Sequence, residues 1–179
     1  MKSIIKMIFL IGIYISVNAQ NEGVEKSMYT IQTGVLGIWL NHECKITNEI
    51  SLRTEIGLDG GISVGNKTIY GLAPKIAIEP RWYYNMDKRI TNGKFTNNNS
   101  ANFITVGVSY ISDWFAIANQ KNVTAANQVT IIPKWGIRRT ISKSNFNYEV
   151  GIGIGRRYFF DNKSWDSTGD LHLRIGYTL

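Results

Sequence analysis

The 179-residue chain carries 20 Lys and Arg against 13 Asp and Glu, a formal charge of +7, with 44% apolar and only 18% charged residues, 17 Gly and 3 Pro. This balance fits neither a disordered segment nor a helical bundle, and at 20.2 kDa it favours one strand-rich domain over two catalytic ones. A single cysteine, Cys44, excludes an intramolecular disulfide framework, and two histidines in all leave no four-ligand Cys/His zinc site.

At the start of the chain, Lys2 and Lys6 precede an almost wholly apolar run from Met7 to Val17, and Val17-Asn18-Ala19 has the small-residue spacing of a signal-peptidase site. Residues 1–19 therefore read as a signal peptide cleaved after Ala19. The rival reading, a membrane anchor, needs about 30 Å of apolar helix, and the run supplies roughly 16 Å. Losing Lys2 and Lys6 leaves 18 cations against 13 acids, a formal charge of +5. No basic cluster exceeds Arg138-Arg139 or Arg156-Arg157, so anionic lipid headgroups are the expected counter-charge and nucleic acid is not.

Residues 20–179 read as one domain in which no stretch approaches the length of a transmembrane helix and period-two alternation dominates. Tyr29 to Leu40 is strand-like, with both faces mixed. Further on, Ile50, Leu52, Ile56 and Leu58 oppose Ser51, Arg53, Glu55, Gly57 and Asp59, and Ile76, Ile78, Trp82 and Tyr84 oppose Lys75, Glu79, Arg81 and Tyr83. Ile104, Val106, Val108 and Tyr110 oppose Thr105, Gly107 and Ser109. Val129, Ile131, Trp135 and Ile137 oppose Thr130, Lys134, Gly136 and Arg138. Phe146, Tyr148, Val150, Ile152, Ile154, Tyr158 and Phe160 form one face, interrupted by Arg156, with Asn147, Glu149, Gly151, Gly153, Gly155 and Arg157 mostly on the other. From Leu171 to Leu179 every odd position is apolar and every even one is polar or Gly.

These runs make seven clear strands, separated by turn chemistry. Ser142 to Asn145 is a tight turn and Asn41 to Asn48 is fairly short. Gly60 to Gly71, Trp114 to Asn127 and Asp161 to Gly169 are longer and polar. Met86 to Ala101 is long where a short turn is expected.

Alternation alone does not say which face is inside. Two features favour apolar side chains outward. Aromatics (Trp82, Tyr84, Tyr148, Tyr158, Phe160 and Tyr177) cluster at the ends of the apolar face, where amphipathic rings suit a headgroup level. The opposite face mixes glycines with charges of both signs, which can pair within a narrow interior.

On these residues the chain resembles the small outer-membrane β-barrels of the OmpX and OmpA transmembrane-domain class over nearly all of residues 28–179. The C-terminal strand ending Tyr177-Thr178-Leu179 is similar to the signal read by the outer-membrane insertion machinery, whose clients most often end in Phe where this chain has Leu179. The resemblance implies an all-β fold, a closed antiparallel transmembrane barrel of about eight strands, monomeric, in the outer membrane of a Gram-negative bacterium. Its surroundings would be outer-membrane lipid and lipopolysaccharide. Unpaired backbone groups are costly in hydrocarbon, so such a sheet must close. Even parity requires one strand more than the seven, from Gln20 to Met28 or hidden in a longer connector.

The interior of so small a barrel holds side chains only. Arg53, Glu55, Glu79, Arg81, Lys134, Arg138, Glu149, Arg157 and Arg174 are the expected charge network, either a salt-bridged plug, which is favoured, or the lining of a narrow ion path. Ile78-Glu79-Pro80-Arg81-Trp82 and Ile131-Ile132-Pro133-Lys134-Trp135 share one pattern. Proline cannot donate to a strand ladder, so Pro80 and Pro133 are expected at bulges or local gaps in the wall. The bland reading is curvature; the sharper one is lateral lipid access for a lipid-modifying enzyme. His172 beside Asp170 or Glu149 lacks a nucleophile motif, and His42 with Cys44 gives two metal ligands where a structural site needs more. The expectation is a non-enzymatic envelope protein without a cofactor, structural or binding through its three long outward loops. A lipid-modifying enzyme, a narrow channel and a soluble lipocalin-like carrier are the alternatives.

Overall fold

The computed structural model describes residues 23–64, 68–120 and 123–179, so the signal-peptide expectation for residues 1–19 lies outside the described residues. Among them, nine strands form a single antiparallel sheet: β1 (Ser27–Gly34), β2 (Gly37–Lys45), β3 (Ile50–Val64), β4 (Thr68–Trp82), β5 (Asn102–Ile111), β6 (Ile117–Ala118), β7 (Gln128–Thr140), β8 (Phe146–Phe159) and β9 (Ser164–Thr178). Eight long strands pair in chain order. The ring closes where β9 returns to β1, from Thr30 opposite Thr178 to Gly34 opposite Arg174. The two-residue β6 sits on β4 beyond the end of the β4–β5 ladder. No helix of the described residues is long and apolar enough to cross a membrane.

The eighth long strand comes from neither place the sequence suggested. Tyr29 to Leu40 is two strands joined at Val35-Leu36, and Gly37 takes a positive φ of 138° that favours glycine. On β1 the buried residues are Met28, Thr30 and Gln32; on β2 they are Trp39, Asn41 and Glu43. The turn therefore switches the inward phase from even to odd, and one strand drawn through both has two mixed faces.

Two of the three connectors expected as long loops are mostly strand. β3 runs on to Val64 and β4 begins at Thr68, while β9 begins at Ser164. Of the three, only the segment between β5 and β7 remains a long connector.

Along every long strand the side chains divide as the alternation requires. Ile56, Ile76, Val106, Ile152 and Leu173 face away from the ring, with Ile152 56% and Leu173 57% exposed, while Arg53, Arg138 and Glu149 have no exposed surface. The ring's core is thus charged and its outside apolar.

Met86 to Ala101 explains its own length. It forms helix α1 (Met86–Thr91) and a single 3-10 turn at Asn97–Asn99, and it folds across the end of the ring that carries the C-terminus. Val24, Tyr83, Met86, Ala101 and Phe103 form a fully buried apolar cluster there. Backbone and side-chain bonds tie it down: Val24 N donates to the Asn48 carbonyl at 2.8 Å, Glu25 N to Asn99 Oδ1 at 2.7 Å, and Asn98 N to Glu25 Oε1 at 3.2 Å.

Glycines on the inner face make room for the large side chains opposite. A Cβ on Gly136 would lie 2.4 Å from the Phe103 ring, and one on Gly151 would lie 2.4 Å from the His172 ring. Gly136→Val should therefore overpack the closed end and cost about 1–3 kcal/mol, read as a lowered midpoint in urea unfolding followed by tryptophan fluorescence. An unchanged midpoint would show that Phe103 is not held against this wall.

Candidate functional site

The interior is built around Glu149 on β8. Arg81 of β4 reaches it with both terminal nitrogens, Nη1 to Oε2 at 2.9 Å and Nη2 to Oε1 at 2.8 Å. Arg53 of β3 donates Nη1 to both of its oxygens at 3.1 Å. Arg138 of β7 stands 3.8 Å away and His172 of β9 3.4 Å away. Four strands thus converge on one carboxylate, brought level by their inward phases and their register.

From this hub the pairs spread to both sides. Arg53 also donates to Asn41 Oδ1, Gln32 Oε1 and Glu55 Oε2, at 2.6–2.7 Å. Arg81 donates to Glu79, whose other oxygen takes Lys134 Nζ; Lys134 in turn lies 3.3 Å from Asp170. Glu55 binds Arg174 at 2.6 Å and approaches Lys75, which also contacts Asp59 at 3.2 Å. Glu43 takes hydrogen bonds from Ser51, Tyr83 and Asn99 and faces Arg138 at 3.6 Å. Arg53, Arg81, Arg138, Arg174, Lys75 and Lys134 therefore face Glu43, Glu55, Glu79, Glu149, Asp59 and Asp170, and the described ion pairs balance in formal charge.

Two aromatic rings bound the ionic layer. Phe103 lies under the Arg81 guanidinium at 4.1 Å on the closed side, and Trp39 lies against Arg174 at 3.9 Å on the other. Beyond Trp39 the interior widens into a cavity of about 720 Å³, within the range of small-molecule pockets. Its floor includes Lys75, Asp170, His172 and Arg174, its walls include Ile132 and Phe159, and Val123 to Ala126 of the β5–β7 connector reach it.

Eight of the nine expected network residues meet here: Arg53, Glu55, Glu79, Arg81, Lys134, Arg138, Glu149 and Arg174. Arg157 does not. It lies farther along β8, partly exposed, and pairs with Asp166 at 2.7 Å. Gln32 went unread because the β1–β2 hairpin hid its phase, and Asn41 and Glu43 because Asn41 to Asn48 reads as a connector, whereas β2 runs on to Lys45.

The prolines mark gaps without bulges. β4 and β5 are paired from Lys75 to Ile78 and again at Arg81 and Trp82 in one unbroken register, with Glu79 and Pro80 left out. The same holds for β7 and β8, where Ile132 and Pro133 are skipped. Side chains cover the first gap: Thr105 Oγ1 donates to the Pro80 carbonyl at 2.8 Å, and Glu79 meets Lys134 over Gly107, whose absent Cβ would lie 3.1 Å from both.

His172 bonds Asp170 through Nδ1 at 2.8 Å, and its Nε2 is turned toward Glu149. Among the described residues no hydroxyl is hydrogen-bonded to either nitrogen, so the arrangement is a carboxylate clamp on an imidazole and lacks the nucleophile of a triad. His42 stacks on Tyr29 at 4.5 Å, and Cys44 Sγ donates weakly to the Leu52 carbonyl. No group of three His, Cys, Asp or Glu among the described residues is arranged to hold a metal ion.

Breaking one partner of a buried pair strands the other charge. Glu149→Gln, which leaves Arg53 and Arg81 facing a neutral amide, should cost about 3–5 kcal/mol in urea unfolding. Arg157→Gln, at a partly exposed pair, should stay within about 1 kcal/mol of the parent. Equal losses in the two variants would mean that the interior network does not hold the ring together.

No family model matches the chain, and neither a curated protein nor a solved structure matches it.

Proposed function

We propose that this chain is a small β-barrel of the outer membrane, with a structural or loop-mediated binding role in the cell envelope and an interior plugged by paired charges. The observation that carries this reading is the inverted radial order, with Ile and Leu exposed all round the ring and arginines fully buried inside it. In water so continuous an apolar surface would be a liability; in lipid it is the only face the hydrocarbon accepts. A soluble carrier of the lipocalin type would carry these side chains inward.

The aromatic residues support the same placement. Trp82, Trp135, Phe146, Tyr148 and Tyr177 lie toward the closed end; Tyr110, Tyr158, Phe160 and Trp165 lie toward the other. Tyr148 and Tyr158 are separated by ten residues of β8, roughly 33 Å along the strand. At the roughly 40° tilt of membrane strands this is about 25 Å of bilayer, the height of the apolar band between aromatic girdles. The strands β3, β4 and β9, at 15 residues each, exceed the roughly 9–11 a bilayer requires and project beyond it on the cavity side. Outer-membrane lipid, lipopolysaccharide and the insertion machinery acting on β9 are the partners this placement implies.

The purified chain should need detergent to stay in solution and should migrate faster on gels unboiled than boiled. Recovery in the aqueous phase with no such difference would overturn the reading. In planar bilayers it should give no stable conductance, and sustained channel currents would replace the plug with a pore.

The interrupted β7–β8 ladder, whose skipped Ile132 lines the cavity, favours one second reading, a lipid-modifying enzyme admitting an acyl chain at Pro133, with the Pro80 gap as its covered counterpart. Lipid A mass spectra of a deletion strain decide it: a lost modification supports the enzyme, and unchanged spectra remove it.

A further inference from the structure

Outside the ionic interior, at the closed end, four cations surround a single open pocket of about 500 Å³. Lys88 and Arg89 come from α1, Lys94 from the segment after it and Arg139 from the end of β7; Tyr84 and Asn92 complete most of the wall. No acid lines it, and among the described residues none of the four cations makes an ion pair. The contrast with the interior is informative, because there each of the six cations has a carboxylate within ion-pair distance.

The two guanidiniums are oriented without being neutralised. Arg89 Nη2 donates to the Phe95 carbonyl at 3.0 Å, and its Nε is buried with no partner. Arg139 donates Nη1 to the Arg138 carbonyl at 2.7 Å and Nη2 to Asn102 Oδ1. Partial burial lowers the pKa of Arg89, as expected for a cation held where no anion stands beside it. Two guanidiniums and two exposed ammonium groups around one space suit a tetrahedral oxyanion.

The pocket also touches the outward aromatic edge. Tyr84 OH accepts hydrogen bonds from Trp135 Nε1 at 2.9 Å and Asn102 Nδ2 at 3.1 Å, and its ring meets Trp82 edge-on at 6.1 Å. A ligand seated here would have its charge on the cations and its remaining bulk beside Trp82 and Trp135.

We propose that this pocket binds the phosphate of an anionic phospholipid headgroup, an inference that rests on the membrane reading above. The lysines contribute charge at the lipid surface, each about one order of magnitude or less in affinity.

The test uses the purified full-length chain in detergent, titrated with phosphatidylglycerol or phosphatidylcholine and followed by native mass spectrometry. Phosphatidylglycerol should be retained at least thirtyfold better, and K88Q/K94Q should reduce that preference by about tenfold to thirtyfold. Both lysines are exposed, so this variant keeps the fold, which unboiled gel migration verifies; R89Q/R139Q should abolish the preference. Equal retention of the two lipids, or an unchanged preference in both variants, overturns the proposal. Retention of inorganic phosphate at concentrations where phosphatidylglycerol is not retained reassigns the pocket to free phosphate and overturns the lipid assignment. If the chain proves soluble without detergent, the membrane reading fails separately. Phosphorus-31 line broadening of inorganic phosphate then tests the pocket alone: broadening lost in R89Q/R139Q supports an oxyanion site, and its absence removes one.

Discussion

Glu149 has no exposed surface, yet two guanidiniums converge on its oxygens from strands on other parts of the wall. A carboxylate so placed is tolerable only if its cations are present and their own remaining donors are satisfied. Much of the interior answers that requirement. Asn41 and Gln32 take up spare donors of Arg53, Glu79 takes those of Arg81, and the Phe103 and Trp39 rings lie against the guanidiniums of Arg81 and Arg174. The glycines belong to the same arrangement, since Gly107 lets Glu79 and Lys134 meet across β5 and Gly151 leaves room for His172.

Closure is what makes this possible. Partners such as Arg53 and Glu149 are 96 residues apart and on strands that are not neighbours, so they come together only when β9 has returned to β1. The network and the ring are therefore mutually dependent. An open sheet would leave each charge on a wet or apolar surface without its partner, which gives the closed form a cooperative advantage that no single hairpin shares.

The strand faces were legible in the sequence, and so was much of the interior list, because a side-chain period of two is local. Leu171 to Leu179 could be assigned from nine residues. Height along the ring was not legible, because it depends on register between strands. Arg157 shares the inward face of β8 with Glu149 but stands eight residues beyond it, outside the ionic layer. The β1–β2 hairpin was missed for a different reason: its turn, Val35-Leu36, has apolar residues where Asn or Asp with Gly usually signals a reversal. The apolar cluster at the closed end was invisible because Val24, Met86 and Phe103 are isolated in sequence and follow no common period. The four-cation pocket likewise joins residues from α1 and the far end of β7, a proximity that only the folded connector creates.

The early reversal at Val35-Leu36 has a geometric sequel. Gly37 faces Asp59 and Gly34 faces Arg174, so β1 and β2 stop there while β3 continues to Val64 and β9 has already run from Ser164. The collar around the cavity is consequently tall on most of its circumference and low above this hairpin, like a cup with a spout. Gly34, Val35 and Leu36 form the lip of that spout. Above it the backbone edges of β3 and β9 have lost their β2 and β1 partners, so the vessel is open sideways over Leu36.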